Sequence, residues 1–154
     1  EQARALYAQG YSCSQSVLGA FAQSYGLELN QALRIAAAFG GGISRTGHIC
    51  GAASGAIMVL GLAQASLDPT DKGAKERLYL IGQEFLSEFQ TRFGALECKD
   101  LLSLDISSPP NLQQAREQGL FKSICPGLVV GAIQILMELN THPHEESNIR
   151  HNPG

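Results

Sequence analysis

The stretch FGGGISRTGHICGAASGAIMVLG, Phe39–Gly61, leads from three consecutive glycines through a polar turn and His48 to Cys50, then into an uncharged run of small residues. Gly40-Gly41-Gly42 reads as a sharp passage free of side chains, because glycine alone takes left-handed backbone angles without steric cost. Ile49–Leu67 then carries no charged residue for nineteen positions. That length invites a test as a membrane span, but Gly51, Ala52, Ala53, Ser54, Gly55, Gly61 and Gln64 make the run small and mildly polar rather than greasy. A helix enclosed by other helices explains it better, apolar all round because no face meets water.

Working outward, the flanks read as helices. Glu1–Gln9 has helical composition and Gly10 ends it. Ser12 with Gln15 fits a capping box, after which Val17, Leu18, Phe21 and Tyr25 recur at helical spacing up to Gly26. Asn30 is the expected cap of a helix over residues 31–39, with Leu33, Ile35, Ala36 and Ala37 on its buried side. Beyond the central helix, Asp68-Pro69-Thr70-Asp71 marks a boundary, and Leu78, Ile81, Phe85, Leu86 and Phe89 predict an amphipathic helix, the longest of the chain, ending near Gly94. One or two turns follow at Glu97–Leu102, then a linker at Ser107–Pro110 and a short helix capped by Asn111. The last helix starts at Cys125-Pro126, where proline's missing N–H costs nothing. No alternating strand pattern and no internal repeat appears, so the expected fold is all-α, a single-domain bundle of roughly six helices around the central small-residue helix. Its domain is expected over 1–140, with a loose polar tail at 141–154.

At 154 residues the chain suits one domain with one sizeable core. A formal charge of −3, without a run of Lys or Arg, lacks the footprint of a phosphate-backbone binder, so nucleic acid is not an expected partner. No membrane span is expected either. No charged and apolar leader opens the chain, which begins at Glu1 rather than Met, and the expected location is cytoplasmic.

The chemistry lies in four cysteines, Cys13, Cys50, Cys98 and Cys125. No CxxC pair exists, and spacing alone says little. Context says more: each sits at or just inside the predicted start of a helix. Helix N-termini offer unpaired N–H groups and the positive end of the dipole, which favour thiolate, the form that binds metal or attacks sulfur. The plainer alternative is a small buried hydrophobe, a common fate of cysteine.

The segments GYSCSQSVLGAF, FGGGISRTGHICGAASGAIMVLGL, ECKDLL and LFKSICPGLV together resemble a family of redox-active proteins named for a cysteine, a GCAxxG box and two further cysteines. The likeness spans nearly the whole chain, with the four cysteines in the family's order. Here the box reads Cys50-Gly51-Ala52-Ala53-Ser54-Gly55, with glycine and cysteine exchanged relative to the family's name. The resemblance implies redox activity, and a similar module in split-Soret cytochromes is associated with an iron-sulfur centre. By that likeness the four cysteines would ligate one 2Fe-2S cluster in an electron-transfer protein, a usual four-thiolate ligand set. Gly40, Gly41, Gly42 and Gly51 would let backbone amides approach the sulfurs. No CxxCH is present, so haem does not carry over.

Two other readings stay open: a thiol-disulfide oxidoreductase or redox sensor cycling between dithiol and disulfide, with no cofactor, and a helical binding module with structural zinc. His48 is weighed as a ligand, as a hydrogen-bond donor to sulfur, as a base and, foremost, as a solvated loop residue. Arg45 is a candidate for positive charge near a thiolate. Gly40–Gly42 with Ser44 lacks the rest of a nucleotide-binding loop. His142, His144 and His151 with Glu145 and Glu146 suggest no more than weak surface metal affinity. Glu84, Glu88 and Arg92 read as a solvated helix face. No catalytic residue is singled out, and whether the protein is an enzyme is left open. The expected partner is an unidentified redox protein, a homodimer being one option.

Overall fold

The computed structural model describes residues 1–139. The polar segment 141–154, with His142, His144, His151, Glu145 and Glu146, lies outside the described residues. Among the described residues nine α-helices form: α1 (Gln2–Ala8), α2 (Cys13–Ala22), α3 (Leu29–Ala36), α4 (Gly51–Gln64), α5 (Lys72–Phe93), α6 (Cys98–Leu101), α7 (Pro109–Glu117), α8 (Leu120–Ser123) and α9 (Cys125–Glu138). The fold is all-α, as expected. The count exceeds six partly because of two four-residue helices: α6, where one or two turns are expected, and α8, too short for a hydrophobic period to reveal.

Central α4 buries Gly51, Ala52, Ala53, Gly55, Ala56, Val59, Leu60 and Ala63, so nearly its whole circumference is covered. At fourteen residues it is shorter than the about 20 a membrane span needs. Residues 120–138 together are long and apolar enough to cross by length and composition. Their larger part, α9, packs Leu128, Val129, Ala132, Ile135 and Leu136 into the core.

Helix α2 lies tightly against α4 because Gly55 has no side chain: a β-carbon there would come within 2.8 Å of the Ser14 carbonyl oxygen. Such close approach buries Ser14 and Ser16, whose hydroxyls donate to the Ala36 and Ser12 carbonyls at 2.8 Å each. The expected capping box at Ser12 and Gln15 is present in both directions. On the far side, α5 is the longest helix, 22 residues closed by left-handed Gly94, and contributes Phe85 and Phe89 as fully buried rings.

Three local expectations differ. Helix α3 is capped by Glu28, whose two carboxylate oxygens accept the Asn30 and Gln31 amides, so Asn30 falls inside the first turn. Ile35 is 55% exposed, because α3 presents Ala32, Leu33 and Ala36 to the core and Ile35 projects off that face. Helix α7 starts at Pro109 under a Ser108 cap, which accepts the Asn111 amide, rather than at Asn111; the prolines occupy a first turn where their lack of N–H leaves nothing unpaired.

The buried side chains form two clusters, a main core around α4 and a smaller one of Cys98, Leu102, Ile106, Ala115 and Cys125. Tyr7, Cys13 and Ile124 pack against both. Cys50 belongs to the main core and Cys98 and Cys125 to the smaller cluster, so the four cysteines stand along the seam between the two.

Candidate cysteine site

All four cysteines sit at helix starts. Cys13, Cys98 and Cys125 are the first residues of α2, α6 and α9, and Cys50 is the residue before α4. Each placement has a local cause: the Ser12 capping box for Cys13, Pro126 in the first turn for Cys125, and a short backbone bridge for the other two.

That bridge pairs Ile49 with Glu97 in antiparallel fashion. The Cys50 amide donates to the Leu96 carbonyl at 2.8 Å, and the Cys98 amide to the His48 carbonyl at 2.6 Å. Cys50 and Cys98 therefore project from the same face of the bridge as diagonal neighbours, a relation that spaces Cα atoms roughly 7–8 Å apart.

The approach to the bridge is a left-handed turn. Gly41, Gly42, Ile43, Ser44 and Arg45 have φ of 66°, 69°, 65°, 51° and 61°. Such a run is costly for residues with a β-carbon, and for a β-branched residue such as Ile43 it is a true outlier. Cross-turn bonds hold it: Ser44 N–H to the Ala38 carbonyl, Gly47 N–H to Gly41, and His48 N–H to Gly42, at 2.7, 3.2 and 3.0 Å. Gly42 is compressed here, since a β-carbon would lie 2.5 Å from the His48 oxygen and 2.8 Å from the Cys98 β-carbon.

Cys13, Cys50, Cys98 and Cys125 all line one cavity of about 900 Å³. Gly40, Gly41, Gly51 and Arg45 line it too, whereas Gly42 and His48 do not. Gly42 acts one layer back, against Cys98. The His48 side chain is exposed, and the residue serves the site through its carbonyl.

The four cysteines are free thiols. A hydrogen bond between the Cys13 and Cys125 thiols raises Cys13 well above an ordinary thiol and lowers Cys125. Burial adds to the rise at Cys13. The Tyr7 hydroxyl also stabilises the Cys125 thiolate, and it donates to the Phe121 carbonyl at 2.7 Å. Tyr7 itself is held neutral by burial and by the negative charge that the nearby thiols would carry. Burial pushes Cys50 up to about 11, partly offset by the Ala52 and Ala53 amides at the start of α4. Burial and the charges of Cys50 and Cys125 push Cys98 up to about 12. Only Cys125 is lowered overall, and by its Cys13 and Tyr7 neighbours rather than by its helix start; burial outweighs the α4 amides at Cys50, and the contact with Cys125 together with burial raises Cys13.

A family model described as "Putative redox-active protein (C_GCAxxG_C_C)" matches residues 11–139, which include all four cysteines. The chain belongs to this family. No curated protein and no solved structure matches it. Family membership makes the chain one of the redox-active proteins defined by this cysteine pattern.

Within that family pattern, the order Cys50-Gly51 has a steric cause in this chain. Gly51 abuts the Ser14 amide and the Phe39 carbonyl, where any β-carbon is crowded, while position 50 leaves its sulfur free to accept the α4 amides. Among the described residues no three His, Cys, Asp or Glu side chains are gathered closely enough to hold a single metal ion. The thiols share a cavity without forming one compact cage.

Sequence reading missed several cavity residues. Arg4, Tyr7 and Ala8 share one face of α1 at helical spacing, and Arg116 and Lys122 come from α7 and α8. The i, i+3, i+4 relation of the first three was a usable signal. Nothing in the sequence places Arg116 or Lys122 beside the thiols.

Proposed function

We propose that the protein is a cytoplasmic electron carrier whose four cysteines ligate one 2Fe-2S cluster and exchange electrons with a partner redox protein. The observation that carries this reading is the opening of all four thiols, from four separate helix starts, into one cavity. The donor set fits the group: four cysteines are a usual complement, two thiolates for each of two irons. The cluster would supply one-electron chemistry at a potential set by burial and nearby hydrogen bonds. The chain's own contribution is to exclude water through the two apolar clusters and to direct the Ala52 and Ala53 amides at the Cys50 sulfur. Four free thiols also suit a reducing compartment. Anaerobic purification should give a coloured protein with iron and acid-labile sulfide in equal amounts. A colourless protein with neither would overturn the reading.

The hydrogen bond between Cys13 and Cys125 favours a second reading, a thiol-disulfide protein. The Cys125 thiolate would attack one sulfur of an acceptor disulfide and release the other as thiolate. Cys13 would then displace the remaining half, leaving a Cys13–Cys125 disulfide and two reduced acceptor thiols, to which the two cysteine protons pass. Thiol titration should find two fewer free sulfhydryls in oxidised than in reduced protein; equal counts would exclude it.

A further inference from the structure

The thiol cavity has a charge pattern that runs against the chain as a whole. The protein is acidic, with 14 Asp and Glu against 11 Lys and Arg. Yet the residues lining the cavity include Arg4, Arg45, Arg116 and Lys122 and no carboxylate. The four come from α1, the left-handed turn, α7 and α8, so their convergence is a product of the tertiary fold and not of a basic run. All four side chains are exposed, which places them at the mouth rather than at the sulfurs. None forms an ion pair among the described residues, whose three salt bridges are made by two cations, Arg92 and Lys99.

Size points the same way. A cavity of about 900 Å³ lies at the upper end of the roughly 300–1,000 Å³ usual for small-molecule sites. It is far larger than four thiols and a compact inorganic core require. Cations placed only to neutralise a buried anionic centre would gain most by being buried beside it; at the rim, water and salt screen them from the sulfurs, and they act chiefly on what approaches from solvent.

We propose that the mouth of the cysteine cavity is a recognition site for a small anionic redox reactant, one bearing carboxylate, phosphate or similar oxyanion groups. Arg4, Arg45, Arg116 and Lys122 bind its anionic groups, and the apolar interior contributed by Leu101, Leu102, Ile106, Leu112 and Phe121 takes its uncharged part toward the thiols. Arginine suits the task because its planar fork matches an oxyanion in two hydrogen bonds. The inference rests on the redox reading of the cavity but not on which cofactor, if any, the thiols hold.

The test compares alkylation of the reduced, metal-free protein by iodoacetate, an anion, and by iodoacetamide, its neutral counterpart of similar size. Both form a thioether at the same thiolates and release iodide, so the ratio of their rates cancels thiol reactivity and reports the field at the mouth. The ratio for wild type at low salt should exceed that of the doubly reversed variant Arg116→Glu/Lys122→Glu by about tenfold, the low end of electrostatic focusing. It should also fall as salt is added. The variant Lys72→Glu/Lys75→Glu, with the same change in net charge on α5, should leave the ratio unchanged. The salt series on wild type needs no substitution, so it keeps the proposal testable if a rim variant fails to fold. A ratio insensitive to salt, or lowered equally by the α5 variant, would overturn it. Absence of iron and sulfide from purified protein would sink the cluster reading and leave this measurement intact.

Discussion

Gly51 faces Cys13 across the seam between α4 and α2: a β-carbon built on Gly51 would lie 3.2 Å from the Cys13 β-carbon and 3.0 Å from the Ser14 amide nitrogen. This closeness brings the first residue of α2 up to the start of α4, and with it Cys13 up to Cys50. Gly51→Ala should force the helices apart and cost about 1–3 kcal/mol, the usual range for overpacking. Gly61, in the same helix, has open space around its would-be β-carbon. Gly61→Ala should stabilise by about 0.5–1 kcal/mol, since alanine restricts the unfolded chain and favours helix. Thermal melts of the two variants should move in opposite directions.

Phe93 fills the space that Gly131 leaves open, its ring edge standing where a β-carbon would go. Phe93 packs at a tilt against Phe89 with ring centroids 4.8 Å apart, so it has little freedom to retreat. Gly131→Ala should destabilise by about 1–3 kcal/mol. Adding Phe93→Leu should recover part of that loss, a coupling that denaturant titration of both single variants and the double variant would measure.

Stability should fall on the alkaline side. Burial holds Cys50 and Cys98 as thiols, with proton release displaced to about 11 and about 12. In the unfolded chain a thiol loses its proton near about 8.5. Between those values the folded state binds more protons at these two thiols than the unfolded one, so their contribution is level below about pH 8.5 and declines as pH rises through the folded values. Melting temperatures of reduced, metal-free protein across pH 7 to 12 should show this, and Cys98→Ala should flatten the upper part of the decline. A curve level to pH 12 would contradict the assignment.

Cys125 is the thiol to label first. The neighbouring Cys13 thiol, and after it Tyr7, lower it below an ordinary cysteine, while Cys13, Cys50 and Cys98 are raised. Brief iodoacetamide treatment near neutral pH, read by peptide mass spectrometry, should find the label on Cys125 several times more often than on any other cysteine. Tyr7→Phe removes one of those two influences and should slow labelling there. Equal labelling of all four would contradict this order.

Much of the fold is legible in the sequence because its signals are local. The Ser12–Gln15 capping box, Gly26 and Gly94 as left-handed stops, and the uncharged Ala and Gly run of α4 each act within a few residues. The position of every cysteine at a helix start was legible for the same reason. What was not legible depended on competition or on distance. Glu28 displaced Asn30 as a cap because a carboxylate with two oxygens satisfies two amides at once. Ile43, Ser44 and Arg45 adopt left-handed angles that no residue of their kind prefers, held by bonds to Ala38 and Gly40 and by the Gly41 and Gly42 carbonyls. The protonation of the thiols follows from burial, which sequence does not show. Neither does it show that Tyr7, Arg116 and Lys122 meet the cysteines, since that requires α1, α7 and α8 to arrive at one seam.

The four cysteines stand at widely separated points of the chain, from position 13 to position 125, each at the head of a different helix. Anything that grips all four at once holds three long loops closed together, and the chain cannot unfold without releasing it. An occupant that binds the folded protein alone therefore stabilises all of it by mass action, not merely its pocket. Such an occupant would be a buckle as well as a reactant: a cell short of it would hold a slacker protein, more open to proteolysis, and would register the scarcity as turnover of the chain itself.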